Sequence, residues 1–290
     1  MAADLHVHTT SSDAAMSGAR QVELAAAAGL TALAIADHNA ISAVPGAQSV
    51  AERWGVEVIA GAELDCNYHD TDTHIVALFL DLERPDFIKG FIALQDRWRA
   101  WCLEVLEEYR RATGIEVPWD DLYFAGDVPV GGALVDALQR KGYHGPIATK
   151  GGWGYGPPQA RFVPMPLSPG EVCDLVHVGG GVAVLAHTVE KNANGEPKFV
   201  SSKWTEPADF SEILEMGVDG WECWRGGHTP EEIEFILRWG DRLGLLPAGG
   251  SDSHGPYPPD TEEGRRGGSL RPLVPDQAVE ALRAKAESYR

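Results

Sequence analysis

Residues 4–13 read DLHVHTTSSD, and they place His6, His8 and Asp13 directly behind a short apolar run that reads as the first strand of a sheet. Alternate side chains of an extended chain share a face, so His6 and His8 reach one ion together from the carboxyl end of that strand. A His-x-His pair alone is weak evidence. The arrangement recurs, however, in further short apolar runs that end in metal-binding residue types. TALAIADHN (31–39) delivers Asp37 and His38, VEVIAGAEL (56–64) delivers Glu63, VAVLAHT (182–188) delivers His187, and LLPAGGSDSHG (245–255) delivers Asp252 and His254. THIVALFL (73–80) instead begins at its histidine, His74. Imidazole and carboxylate at strand ends, with no cysteine among them, favour Mn, Zn or Fe over a thiolate site. The expectation is a polynuclear metal centre.

Outward from these runs, β-rich segments alternate with helical patterns, the signature of a mainly parallel sheet with crossover helices. Seven strands are predicted, near residues 3–8, 31–36, 56–62, 74–80, 182–187, 218–223 and 245–250. ARQVELAAAAGL (19–30) is rich in helix formers and closes at Gly29. HTPEEIE (228–234) offers Thr229 as N-cap, Pro230 at the first helical position and Glu232 for a capping box. Between the fourth and fifth strands the alternation fails for roughly a hundred residues, far more than a crossover needs. An inserted, mainly helical cap over 85–161 is expected there, dividing a barrel of residues 1–84 and 162–290. It opens with apolar positions at helical spacing from Phe87 through Leu106 and ends in the Gly- and Pro-rich stretch KGGWGYGPPQARFVPMP (150–166).

The 290 residues carry a formal net charge of −19, which argues against long nucleic acid or an anionic membrane as a partner. No segment is long and apolar enough to span a membrane and the start lacks a signal-peptide pattern, so a cytoplasmic location is expected. The four cysteines are scattered without CxxC spacing and read as buried thiols.

HVHTTSSD, ADHN, GAEL and GSDSHG, in that order and reinforced by THIVAL and VAVLAHT, resemble the polymerase and histidinol phosphatase (PHP) domain proteins of the amidohydrolase superfamily. The resemblance implies an α/β fold, a distorted (β/α)7 TIM-like barrel with a helical cap inserted after the fourth strand. It also implies three divalent metal ions: one on His6, His8, Glu63 and Asp252, a second sharing Glu63 with His74 and His187, and a third on Asp13, His38 and His254. Glu63 can bridge because a carboxylate has two oxygens, whereas an imidazole binds through one nitrogen. The implied activity is hydrolysis of a phosphate ester by direct attack of a hydroxide held between metals, with Glu63 at the catalytic centre. Asp37, beside a ligand, is a candidate to handle the leaving-group proton or to hold a neighbour by a hydrogen bond, and the second reading is preferred.

Relatives that hydrolyse nucleotides carry an Arg-Gly-His pattern and a following Arg in the cap, where this chain reads VPVGGALVDAL (128–138). That departure weighs against a bisphosphate or exonuclease activity. Arg225 and His228 are the preferred phosphate-binding candidates, lying beyond the sixth strand and before a helix N-terminus. Arg161 in QARFVP is another, with an exposed loop charge as the plain alternative. Lys191, together with Asn192, Lys198 and Lys203 in the long polar segment after His187, is weighed evenly between substrate binding and a solvated loop. Trp98 and Trp101 read as packing residues, while Trp153 and Tyr155 are candidates to stack on a base or sugar. His69 competes with His74 as a ligand, and His74 fits the pattern better. The leading function is thus a phosphatase acting on a small phosphorylated metabolite, a nucleotide or sugar phosphate. The alternative is a phosphodiesterase acting on a cyclic phosphate or short oligonucleotide, and a non-catalytic module ranks lower because all nine expected ligand positions carry competent residues.

Overall fold

The computed structural model describes residues 2–69, 71–150, 154–191, 194–199, 210–255, 270 and 273–290. In chain order the elements are β1 (Ala2–Val7), α1 (Gly18–Ala27), β2 (Ala32–Ile35), α2 (Ala43–Trp54), β3 (Glu57–Tyr68), β4 (Thr71–Leu78), α3 (Pro85–Thr113) and α4 (Gly131–Arg140). The short β5 (Ala148–Lys150) and β6 (Gly154–Gly156) follow, then α5 (Pro169–Val178), β7 (Val182–Leu185), β8 (Val189–Lys191) and β9 (Pro197–Phe199). The chain continues with α6 (Ser211–Glu215), β10 (Gly220–Arg225), α7 (Pro230–Leu243), β11 (Leu246–Gly250), β12 (Val274–Pro275) and a C-terminal helix, Asp276–Glu287.

The main sheet has the order β11-β10-β7-β4-β3-β2-β1-β12 and curls into a barrel. Its open side is stitched where the chain beyond β11 meets β1. There the Asp252 N–H donates to the His6 carbonyl at 2.9 Å and the His8 N–H to the Ser253 carbonyl at 3.0 Å. Pairing is parallel along β1, β2 and β3 and again along β7, β10 and β11, but β4 runs antiparallel to both of its neighbours. The sequence reading ended the third strand at 62 and began the fourth at 74. The actual strands extend to Tyr68 and start at Thr71, leaving two residues between them. A parallel crossover needs a dozen or more, so only a hairpin is possible.

Strand faces sort into two apolar clusters. Leu33, Ile35, Ala62, Ile75, Leu185 and Trp221 point outward against residues of α1, α2, α5 and α7. Ala34, Ile59, Val76, Val184 and Ala248 fill the interior over a floor of Ala278, Val279 and Leu282 from the C-terminal helix. β1 switches sides part-way. Leu5 belongs to the interior cluster and Val7 to the outer one, and the β1–β2 register shifts between Asp4 and Val7. A one-residue shift exchanges faces, so Leu5 fills the barrel while His6 and His8 turn inward above it.

The helix signals hold. Gly29 takes φ 78°, and α7 begins with a Thr229–Glu232 capping box and ends at Gly244 in the left-handed region; an N-cap of this kind contributes about 1 kcal/mol. α3 serves two cores, since Phe87, Phe91 and Leu94 join the outer barrel cluster. Trp98, Cys102, Val105, Leu106 and Tyr109 join a separate one with Leu134 and Leu138 of α4 and with Val163.

Candidate metal centre

At the carboxyl end of the barrel five imidazoles surround one carboxylate. Glu63 is fully buried. Its Oε2 lies 3.1 Å from His6 Nε2, 3.2 Å from His8 Nε2 and 3.4 Å from His38 Nε2. Its Oε1 lies 2.7 Å from His74 Nδ1 and 3.5 Å from His187 Nε2. β3 carries Glu63 inward on the face of Ile59. The reversed direction of β4 explains why His74 starts its apolar run: the amino end of an antiparallel strand sits at the same rim as the carboxyl ends of its neighbours.

Asp252 completes this group, with Oδ1 3.3 Å from His8 Nε2 and Oδ2 3.5 Å from His187 Nε2. Asp13 Oδ1 lies 3.3 Å from His254 Nε2, and Asp13 Oδ2 lies 4.0 Å from His38 Nε2. Ligand-type atoms therefore converge in sets that include His6–His8–Glu63–Asp252, Glu63–His74–His187 and His8–Asp13–His38–His254. His187 and Asp252 are held at φ 51° and 56°, and Asn39, next to His38, at φ 49°. Left-handed backbone at such residues costs on the order of 1–3 kcal/mol each, and these three stand at the same rim.

Two buried atoms report what the cluster is built for. Glu63 Oε2 and His187 Nε2 have no hydrogen-bond partner although both are enclosed by polar groups. His6 Nε2 and His8 Nε2 face one another at 3.1 Å. Ring nitrogens and carboxylate oxygens crowded toward common points suit cations.

The outward-facing ring nitrogens are held by carboxylates that the sequence reading did not pick out. His6 Nδ1 meets Glu222 Oε1 at 2.7 Å, and Glu222 Oε2 accepts the His187 N–H at 2.9 Å. His38 Nδ1 meets Asp65 Oδ1 at 2.8 Å, and His74 Nε2 meets Asp72 Oδ2 at 3.1 Å. An ionised carboxylate only accepts, so each contact holds a proton on that nitrogen and turns the other nitrogen toward the centre, where it could bind a cation. The signal was present: Glu222 is an acid inside the buried strand GWECWR, and Asp65 lies two residues beyond Glu63 on the same face.

Charge is shared throughout the cluster. Burial disfavours a charged His38, but Asp65, Glu63 and Asp13 outweigh it and push its pKa up to about 10. Burial, reinforced by the Arg225 guanidinium, pushes His187 down to about 3. Glu222 opposes its own burial and is held at about 2, chiefly by His6.

The remaining candidates fare differently. Asp37 is buried, but its oxygens accept from the Thr9 N–H, the Thr9 hydroxyl and the Ser12 hydroxyl, each at 2.7 Å. It fixes the loop between His8 and Asp13 and makes no bond to His38. Arg225 donates to Asp252 Oδ2 at 2.6 Å, while its Nε is buried without a partner. His228 is anchored through Nδ1 at the Cys223 carbonyl, 3.0 Å away, and its buried Nε2 has no partner. Arg161 pairs with Glu104 and Glu108 on α3 and is not among the described residues lining the cavity at the barrel mouth. The long α3 presents these acids where a loop cation meets them first. His69 turns to Glu212 instead of the centre. Lys191 lies in β8, where only the backbone is described, and Lys198 is exposed in β9. Asn192, Lys203 and Trp153 lie outside the described residues, as does the side chain of Tyr155.

The profile of the PHP domain matches residues 4–126, the span that supplies His6, His8, Asp13, His38, Glu63 and His74. These residues are a PHP domain. A 5′–3′ exoribonuclease of Haemophilus influenzae is 28% identical over 265 residues, covering 87% of this chain and 90% of that protein. A 3′,5′-nucleoside bisphosphate phosphatase of Chromobacterium violaceum is 25% identical over 287 residues, covering 94% and 92%. Among solved structures, a protein of Bifidobacterium adolescentis provisionally described as a metal-dependent phosphoesterase superposes with a TM-score of 0.70 at 26% identity, covering 98% of this chain and 96% of its own. The barrel with its reversed strand is therefore a PHP-type barrel.

Proposed function

We propose that this PHP-domain protein is a metal-dependent phosphoesterase that hydrolyses a phosphate monoester of a small metabolite, a nucleotide or sugar phosphate. The observation that carries the reading is Glu63, a buried carboxylate with one oxygen orphaned among three imidazole nitrogens and the other shared by two more. In this reading three divalent ions, of Mn, Zn or Fe, are held by His6, His8, Glu63 and Asp252, by Glu63, His74 and His187, and by Asp13, His38 and His254. Such ions supply an activated water and neutralise charge on phosphoryl oxygens.

The chain's own groups do the rest. Glu222, Asp65 and Asp72 fix which nitrogen of His6, His38 and His74 faces the centre. Asp37 holds the Thr9–Ser12 loop and so the position of Asp13. Arg225 and His228, with buried Nε and Nε2 atoms awaiting partners at the end of β10, orient a phosphoryl oxygen. A diester reading uses the same groups and is favoured by the exoribonuclease among the relatives. Among the described residues no helix is long and apolar enough to cross a membrane, and the net charge of −19 favours a small substrate over long nucleic acid.

The test is phosphate release from nucleotides, sugar phosphates, bisphosphates and cyclic diesters by Mn-loaded protein, before and after chelation. Chelation is expected to lower turnover at least about a hundredfold, with metal restoring it. Turnover untouched by removal of all bound metal would refute the proposal. Glu222→Gln should weaken metal binding by about 10–100-fold, read by competition with a chelating dye. Unchanged affinity would remove Glu222 from its proposed orienting role.

A further inference from the structure

A cavity of about 320 Å³ opens between the barrel mouth and the segments above it. Asp13, His38 and His74 form its floor, Trp98, Trp101 and Tyr123 one wall, and the first turn of α4 another. That volume lies at the small end of ligand sites. We propose that this cavity receives the alcohol side of the ester, and that it selects a hydroxyl-rich body bearing no second phosphate. The proposal deepens the phosphoesterase reading and rests on it.

Charge is the first ground. No lysine or arginine is among the described residues lining the cavity, whereas Asp13, Asp65, Asp72 and Asp136 are. Asp13 and Asp65 are committed to histidines. Asp72 gives Oδ2 to His74, but its Oδ1 is buried without any partner, on a side chain only 2% exposed. Asp136 stands exposed on α4. The Arg140 guanidinium is engaged over the Tyr123 ring at 4.4 Å and with the Asp121 carbonyl.

A ligand hydroxyl can donate to a carboxylate that lines the cavity. A phosphate oxygen at neutral pH donates nothing and adds like charge. The opposing influence is the α4 N-terminus, which has no side-chain cap and open space beside Gly131 and Gly132. Its effective charge is roughly +0.5, against two carboxylates. Tyr123, 74% exposed, adds an aromatic face suited to the C–H side of a sugar ring. The chain thereby departs from its Chromobacterium relative, whose substrate carries two phosphates.

The experiment compares a pentose 5-phosphate with the corresponding 1,5-bisphosphate, and a nucleoside 5′-phosphate with its 3′,5′-bisphosphate. Both kcat/KM and calorimetric binding are measured on the metal-loaded full chain. The monophosphate of each pair is expected to be preferred by at least about tenfold. Asp136→Lys, at an exposed position, should narrow that preference by on the order of tenfold, and Asp72→Asn should narrow it in the same direction. Equal or stronger binding of the bisphosphates overturns the subsite, as does a preference that both substitutions leave unmoved. Binding separates the two readings: a chain that hydrolyses none of these esters yet binds monophosphates over bisphosphates supports the subsite and refutes the phosphoesterase.

Discussion

Glu63→Gln is expected to abolish ester hydrolysis, with a loss of at least about 10³-fold in kcat, and to lower the number of bound metal ions per chain. The amide keeps the shape of the side chain while removing its charge and replacing one oxygen by an NH2 group. That group would point either at three imidazole nitrogens 3.1–3.4 Å from Oε2 or at His74 Nδ1, 2.7 Å from Oε1. In either orientation a donor occupies a place where lone pairs converge, and no single cation can be shared through that residue. The same carboxylate helps push His38 up to about 10 against its burial, so its loss also unbalances the metal-free cluster. Steady-state turnover, metal content by mass spectrometry and far-UV circular dichroism together decide the matter. A folded variant with wild-type turnover would remove Glu63 from the centre.

Much of this centre was readable because a strand imposes a period of two and the barrel gathers strand ends. His6 and His8, Glu63, His187 and Asp252 each follow an apolar run, and their sequence positions alone place them at one rim. His74 did not fit that rule until β4 was found reversed. The short His69–Asp70 connection was hidden because CNYHDTDTH looks like a polar loop, although it is largely two paired strands. Glu222 and Asp65 were legible only as acids in buried strands, and nothing local says which histidine each one holds. The pairing of Arg161 was hidden for a related reason: its partners Glu104 and Glu108 lie more than fifty residues away on α3. The switch of faces within β1 depends on pairing with β2 and has no signature in DLHVH itself.

Gly250→Ala should cost about 3 kcal/mol of stability or more, and lower metal affinity about a hundredfold. A Cβ at this position would lie 2.3 Å from the His6 backbone nitrogen and 2.4 Å from His6 Cβ, distances that only backbone movement can relieve. The conflict falls where the barrel closes, beside the Asp252 N–H bond to the His6 carbonyl. Any displacement that makes room for the methyl group separates two residues that must converge on the same point. Stability and metal affinity are therefore expected to fall together, as they would not for a substitution elsewhere on the barrel wall. Gly46→Ala is the matched control. It sits within α2 with nothing within 4 Å of its added Cβ and an ordinary helical backbone, so it should be neutral or stabilise by up to about 1 kcal/mol. Urea unfolding of both variants, with and without metal, tests the pair. A Gly250→Ala protein as stable and as fully metallated as Gly46→Ala would mean that the β1–β11 closure does not position His6 against Asp252.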